Sequence, residues 1–327
     1  CAHNAAARLP AALNALAQME NMPGAWECLV VDNASTDDTR KVAEDAGRRL
    51  ALPLRVVSEP IAGHTRARAR AAAEARGELL SFIDDDNLVS PQWAQNCIAF
   101  FAAHPSAGIA GGKIAPVFED PASIPPDFQE HYAQALAIRD MGEAERKLIL
   151  LEDDPPCGAG MTGRTALFRR ILLDIGCHLT GRTGGALTSG DDTEIGLLAQ
   201  RLGWETWYTP SLQMAHVLPA RRLRREYLDA VIATGAFSTP WLDCLRNKEP
   251  HRSRASNVLI GARWRLAAAK IKFVGKLKGP NHPDAGRFPF WYDLFRNRAA
   301  GYFDLARNDP AGKLAAGLAK LNAQHKL

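Results

Sequence analysis

Long apolar runs are missing from this chain: nowhere in its 327 residues do the roughly 18 consecutive apolar residues of a spanning helix occur. The start also lacks the charged-then-apolar segment of a secretory signal, so secretion is not expected. Cysteine is sparse. Six thiols, at 1, 28, 97, 157, 177 and 244, form no Cys-x-x-Cys pair and no ordered spacing, which argues against a disulfide frame or a zinc site and points to a cytoplasmic protein. No internal repeat is visible. What is there is ordinary globular material: 46% apolar and 23% charged residues exclude a disordered or fibrous chain. The length suits one large α/β domain with an appendage, or two ordinary domains. A formal charge of +4 is modest, yet between Arg246 and Lys278 ten Lys or Arg face one acid, Glu249, so the basicity is local.

The first half alternates strand and helix patterns. Leu9, Leu13 and Leu16 share a helical face, residues 27–31 (ECLVV) read as a buried strand, and Ser35 is placed to cap a helix running to about Arg49. A strand at 54–58, an Ala/Arg-rich helix from Thr65 to Arg76 and a strand at 79–83 follow, the last running directly into Asp84, Asp85 and Asp86. Alternation of this kind predicts parallel pairing. A helix near Pro91–His104 and a strand at 108–118 come next, then a Pro-rich connection. Residues 157–164 (CGAGMTGR) open a second cluster, with a short helix near 166–174, a glycine-rich loop and a helix at 191–204 with an acidic start. Beyond His216 the pattern is helical, over about 221–234, 253–274 and 290–306.

In open parallel sheets ligands gather beyond the carboxyl ends of strands, where Asp32 and Asp84 both fall. Three adjacent carboxylates repel one another and raise each other's pKa unless a cation sits among them. A hard divalent ion fits, taking one or two carboxylates and completing its shell with substrate phosphates and water. Asp84 to Asn87 would serve equally as a polar turn capping the helix near Pro91. The second acidic strand end at Asp32 and Asn33 favours a shared cleft. Asp191 and Asp192 are welcome at a helix start through the dipole alone, which leaves a chemical role open. Glu152 to Asp154 run into Pro155 and Pro156 and read as a surface loop.

Taken together, residues 2–4 (AHN), 30–39 (VVDNASTDDT), 63–87 (GHTRARARAAAEARGELLSFIDDDN) and 191–204 (DDTEIGLLAQRLGW) resemble the ordered motifs of family 2 glycosyltransferases with the GT-A fold, over about residues 1–217. The resemblance implies an α/β, Rossmann-like fold with a mostly parallel central sheet flanked by helices. It implies a catalytic domain at 1–217, with a nucleotide-sugar half at 1–118 and an acceptor half at 119–217, and a helical C-terminal extension at 218–327. It also implies that Asn4, Asp32, Arg68, Asp84 and Asp85 bind the nucleotide sugar: Asp32 at the base, Arg68 near the base or phosphates, Asp84 on the ribose side. Asp86 would bind Mn²⁺ or Mg²⁺, with His216 as a further ligand, although an ordinary half-buried histidine competes for that position. Asp192 would be the general base of an inverting transfer and Asp191 its acceptor-positioning neighbour. Gly160 and Met161 would lie on the acceptor side. Asp191 stands where the family more commonly has Glu, while Cys1 and His3 stand where it has Pro and Tyr. Residues Gln200 to Trp204 do not form the Gln-x-x-Arg-Trp motif of processive synthases, so single transfer is expected.

The expected function is transfer of a sugar from a nucleotide diphosphate sugar, a UDP-sugar first, to a hydroxyl of a glycan or lipid-linked acceptor in polysaccharide or glycoconjugate synthesis. The basic segment 254–278 interleaves cations with Leu259, Trp264, Leu266 and Phe273, a composition suited to the inner face of a membrane as a peripheral contact. Packing of its apolar face on the catalytic domain accounts for it equally well. No nucleic-acid motif accompanies it, so no nucleic-acid partner is expected. Two rivals remain open: a sugar nucleotidyltransferase, whose Gly-rich loop with a following Arg is not found, and an inactive nucleotide-sugar or glycan-binding protein.

Overall fold

The computed structural model describes residues 1–20, 24–183, 187–246, 253–279, 282, 287–309, 312 and 314–315. Lys248, Glu249 and Arg252 of the basic run, and 184–186 of the glycine-rich loop, lie outside the described residues.

Two sheets carry the fold. In the smaller, β1 (Cys28–Asn33) pairs in parallel with β2 (Leu54–Glu59), in register from Cys28 opposite Leu54 to Asn33 opposite Glu59. Helices α1 (Leu9–Ala17) and α2 (Thr39–Arg49) supply Leu9, Leu13, Ala43 and Ala46 to a small core with Val30. The expected cap at Ser35 is not used: the Ser35 hydroxyl accepts from the Asn4 amide at 3.1 Å, so α2 starts four residues later at Thr39. Helix α3 (His64–Glu74) returns the chain from β2 to β3 (Leu79–Ser81).

The larger sheet runs in the order β3, β7 (Thr162–Arg164), β5 (Ala107–Phe118), β8 (Glu205–Leu218), β4 (Asn87–Val89), with β6 (Arg146–Leu148) also on β8. The sheet is mixed where a mostly parallel one was expected. β5 and β8 are parallel, but β7 is antiparallel to both β3 and β5, and β4 and β6 are antiparallel to β8. The antiparallel members are three residues long, too short to show a period of two. Adjacent residues alternate between two cores. Leu80 and Phe82 join Ile109 and Met161 on one side, while Leu79 and Ile83 join Ile114 and Met214 on the other. Helix α4 (Trp93–Ala103) and the short α5 (Phe128–His131) cover the second side. Helix α6 (Thr165–Arg169) and α7 (Asp191–Arg201) cover the first.

The rest is helical, as expected: α8 (Arg225–Gly235), α9 (Thr239–Leu245), α10 (Arg254–Lys278) and α11 (Phe288–Asn308). These helices are not set apart from the sheet. Trp241 and Leu245 of α9 and Tyr302 and Leu305 of α11 share one core with Ile195, Leu197 and Leu198 of α7. Among the described residues no helix is long and apolar enough to cross a membrane.

Candidate active site

The acidic strand end is built by a closed turn. The Asp84 amide donates to Asn87 Oδ1 and the Asn87 amide donates back to the Asp84 carbonyl, both at 3.1 Å. The turn splays the three carboxylates so that each meets its own basic side chain. Asp84 lies 3.6 Å from His64 Nε2, Asp85 accepts from Arg8 at 2.6 Å, and Asp86 accepts from Arg222 at 2.9 Å. Burial pushes the Asp84 carboxyl up, but the imidazole of His64 and the charge of Arg68 outweigh it and hold the group far below the carboxylate range. At Asp86 burial likewise pushes up, and His216 and Arg222 bring the net shift down. Asp85 shifts upward, through burial and then the charge of Asp86, against which Arg8 is too weak.

Strand pairing brings in His216. Antiparallel β4 and β8 set Asn87 opposite His216, which places His216 Nε2 3.5 Å from Asp86 Oδ1. The ring is fixed from behind by Nδ1, 2.8 Å from the Leu136 carbonyl. A ring held this way directs Nε2 at the carboxylate, as a metal-binding histidine requires. The guanidinium of Arg222 lies 2.9 Å from Asp86 Oδ2 and 3.4 Å from His216 Nε2, so it balances the Asp86 charge in this structure and would have to draw back for an ion to bind these two groups. Among the described residues no three His, Cys, Asp or Glu form a closed cage. Two protein donors are what a hard cation needs when a diphosphate completes its shell, so Asp86 and His216 fit such an ion.

The second acidic pair opens α7 and divides its labour. Asp191 is buried and accepts from Arg68 at 2.7 Å, with His64 Nδ1 3.5 Å away. Arg68 is 1% exposed, its guanidinium over the Phe82 ring at 5.7 Å; the charges of Asp191, Asp192 and Asp84 overcome the downward pull of burial and raise its pKa. The resemblance implies a place for Arg68 near the base or phosphates; here it lines the cleft with its guanidinium paired to Asp191. Asp192 is half-buried, its Oδ2 accepting the Gly158 amide at 2.7 Å and its Oδ1 the Thr193 amide at 2.8 Å. Gly158 must be glycine, since a Cβ there would stand 1.8 Å from Arg68 Nη2. One turn on, buried Glu194 accepts from the His178 and Leu179 amides and from Trp241 Nε1, tying α7 to the loop before it and to α9.

These groups line one cleft of 610 Å³, whose walls include His3, Asn33, His64, Asp84 to Asp86, Asp192 and His216. Four expected site residues do not line it. Asp32 accepts the Ser35 amide at the end of β1, and Asn4 accepts the Thr36 amide beside it, while the neighbouring Asn33 does face the cleft. Met161 is fully buried in the core, and Gly160, at φ 72°, packs against Met214 and Trp93, so of the glycines at 158 and 160 expected on the acceptor side only Gly158 faces the cleft, with Ala159 beside it. Sequence reasoning missed His64, Arg8, Arg222 and Glu194. The strand-end rule applied to β2 and β8 would have pointed to His64 and Arg222; nothing in the sequence signals Arg8 or Glu194.

The sequence model of the family described as Glycosyl transferase family 2 matches residues 1–172. Poly(ribitol-phosphate) beta-N-acetylglucosaminyltransferase TarS of Staphylococcus aureus is 30% identical over 94 residues, 29% of this chain and 16% of TarS. Validoxylamine A glucosyltransferase of Streptomyces hygroscopicus subsp. limoneus is 31% identical over 147 residues, 43% of this chain and 32% of that protein. The chain thus spans under a third of either relative's length in these matches. Among solved structures, TarS 1–349 in complex with UDP superposes with a TM-score of 0.50 at 17% identity, covering 94% of this chain and 89% of that one. That likeness establishes a common, GT-A-like fold.

Proposed function

The chain belongs to glycosyl transferase family 2, and from that premise we propose that it moves a sugar from a UDP-sugar to a hydroxyl of a glycan or lipid-linked acceptor, by a single displacement with inversion. The observation that carries this reading is the meeting of the two acidic sets on one cleft, with His64 spanning Asp84 and Asp191. UDP is the nucleotide held in the TarS structure, and it is proposed here by that analogy.

In the proposed step the acceptor oxygen bonds to the anomeric carbon as the bond from that carbon to the diphosphate oxygen breaks. The electron pair leaves with the nucleotide diphosphate, and the acceptor proton passes to Asp192. Its two backbone N–H donors hold the carboxylate in place, and its half-exposed position on the cleft leaves lone pairs for that proton. Arg68 fixes Asp191 and, through Gly158, the loop that carries one of those donors. Asp86 and His216 would hold Mn²⁺ or Mg²⁺, which when bound neutralises charge on the leaving diphosphate. Arg222 adds a positive charge at the same end of the cleft.

Nucleotide release from UDP-, GDP- and dTDP-sugars, with Mn²⁺ or Mg²⁺ and with cell-derived acceptors, tests the proposal. Metal-dependent release by wild type, lost in Asp86→Ala and Asp192→Asn, is expected. Pyrophosphate as the product would replace the proposal with nucleotidyl transfer, and donor binding without turnover would replace it with a binding protein.

A further inference from the structure

Helix α10 has two faces of unlike character. Inward, it packs on α11 through small residues and rings: a Cβ on Gly261 would touch Phe303 at 3.0 Å, one on Gly275 would touch Phe288 at 3.1 Å, and Trp264 meets Phe295 edge-on at 5.1 Å. That face is fully occupied. Outward stand Leu259, Leu266, Phe273 and Leu277, at 67, 71, 62 and 70% exposure. Their spacing of seven, seven and four residues puts them in one line on a 3.6-residue helix. The packing on α11 therefore does not account for them, and a line of four large apolar side chains in water needs a partner.

The charges say which. From Arg254 to Lys278 the helix carries three Arg and four Lys and no Asp or Glu. Arg263 and Lys270 are exposed and fall between the outward apolar residues, while Arg265, Lys272 and Lys276 are exposed beside them. A second copy of this helix would set seven cations against seven. A protein partner's interface core is ordinarily depleted of lysine. A nucleic acid would meet the cations but leave the leucines and Phe273 against phosphate. A bilayer surface bearing negative headgroups takes both at once: apolar side chains enter the acyl boundary, and Lys and Arg stems reach back to the phosphates.

We propose that the outward face of α10 docks this protein flat on an anionic lipid bilayer. The inference is independent of the reaction proposed above, since no residue of the docking face lines the cleft.

Flotation of the full chain with phosphatidylcholine vesicles, with and without phosphatidylglycerol, tests it. Wild type is expected to float with the anionic vesicles, to float weakly with the neutral ones, and to be released by high salt. Two variants, Leu266→Glu with Phe273→Glu, and Lys270→Gln with Lys272→Gln and Lys276→Gln, should each lose about tenfold or more in vesicle affinity. Because every altered side chain is exposed, unchanged circular dichroism and unchanged nucleotide release in solution are expected of both. Failure of wild type to float, or flotation unaffected by both variants, overturns the proposal. So does concentration-dependent self-association that Leu266→Glu with Phe273→Glu abolishes, which would make a second copy the occupant. Absence of nucleotide release by wild type, with flotation and its loss in the variants as expected, would instead count against the proposed reaction alone.

Discussion

At Asp192 the carboxylate is held by two amides and borders the cleft, where the proposed reaction uses it as the proton acceptor. Asp192→Asn keeps the shape but turns an amide hydrogen toward one of those donors and removes the basic lone pair. Turnover should fall by about 10²- to 10⁴-fold with little change in donor affinity, as steady-state rates and a nucleotide-binding titration would show. Gly158→Ala acts from below: the new Cβ must displace Arg68 Nη2, parting a fully buried pair. A loss of about 3–5 kcal/mol of stability in urea unfolding is expected, since a buried charge left without its partner is costly. How legible were these residues in the sequence? The carboxylates were, because strand ends and helix starts mark themselves by position. Their partners were not: Arg68 meets Asp191 across 123 residues of chain, and Arg222 meets Asp86 across 136. Pairings of that range are decided by the tertiary fold and leave no local pattern.

Elements were legible where they were long enough to show a period. The apolar line of α1, the runs of β1, β2 and β5, and the amphipathic α7 all fall within a few residues of their expected bounds. The direction of pairing was not legible, because β4, β6 and β7 are three residues each and sit beside strands distant in sequence. It is nevertheless β4 against β8 that delivers His216 to Asp86. The orientation of α7 rests on a buried acid that an alternating pattern cannot assign. Burial raises the Glu194 pKa, and the three N–H donors around it pull the other way with less effect. Glu194→Ala leaves the His178 and Leu179 amides and the Trp241 indole N–H without their acceptor. At about 1–3 kcal/mol for each buried donor left unsatisfied, a destabilisation of about 3 kcal/mol or more is expected. Glu194→Gln, which retains one acceptor oxygen, should lose less, and the difference between the two in thermal unfolding checks the assignment.

For the molecule as a whole, the change from alternating strands and helices to helices alone near residue 217 is visible in the sequence, and it suggests a catalytic unit with an appendage. The packing argues for a closer union. Trp241, Leu245, Tyr302 and Leu305 bury against Ile195, Leu197 and Leu198 on the helix that begins with Asp191 and Asp192. Phe237, whose carbonyl would stand 2.2 Å from a Cβ on Gly301, locks α11 to the turn before α9. A chain ending at Arg224 would expose that side of α7 and remove the indole partner of Glu194. The full chain should therefore unfold in one cooperative step that includes the C-terminal helices, while residues 1–224 alone should bind a hydrophobic dye and lack a sharp transition. Trp241→Ala offers the same test without shortening the chain: about 3–5 kcal/mol lost from the core, together with turnover, because the mutation loosens the helix on which Asp192 stands. Cooperative unfolding of residues 1–224 with turnover intact would instead make the helical region a separate body, and the union inferred from the shared core would fail.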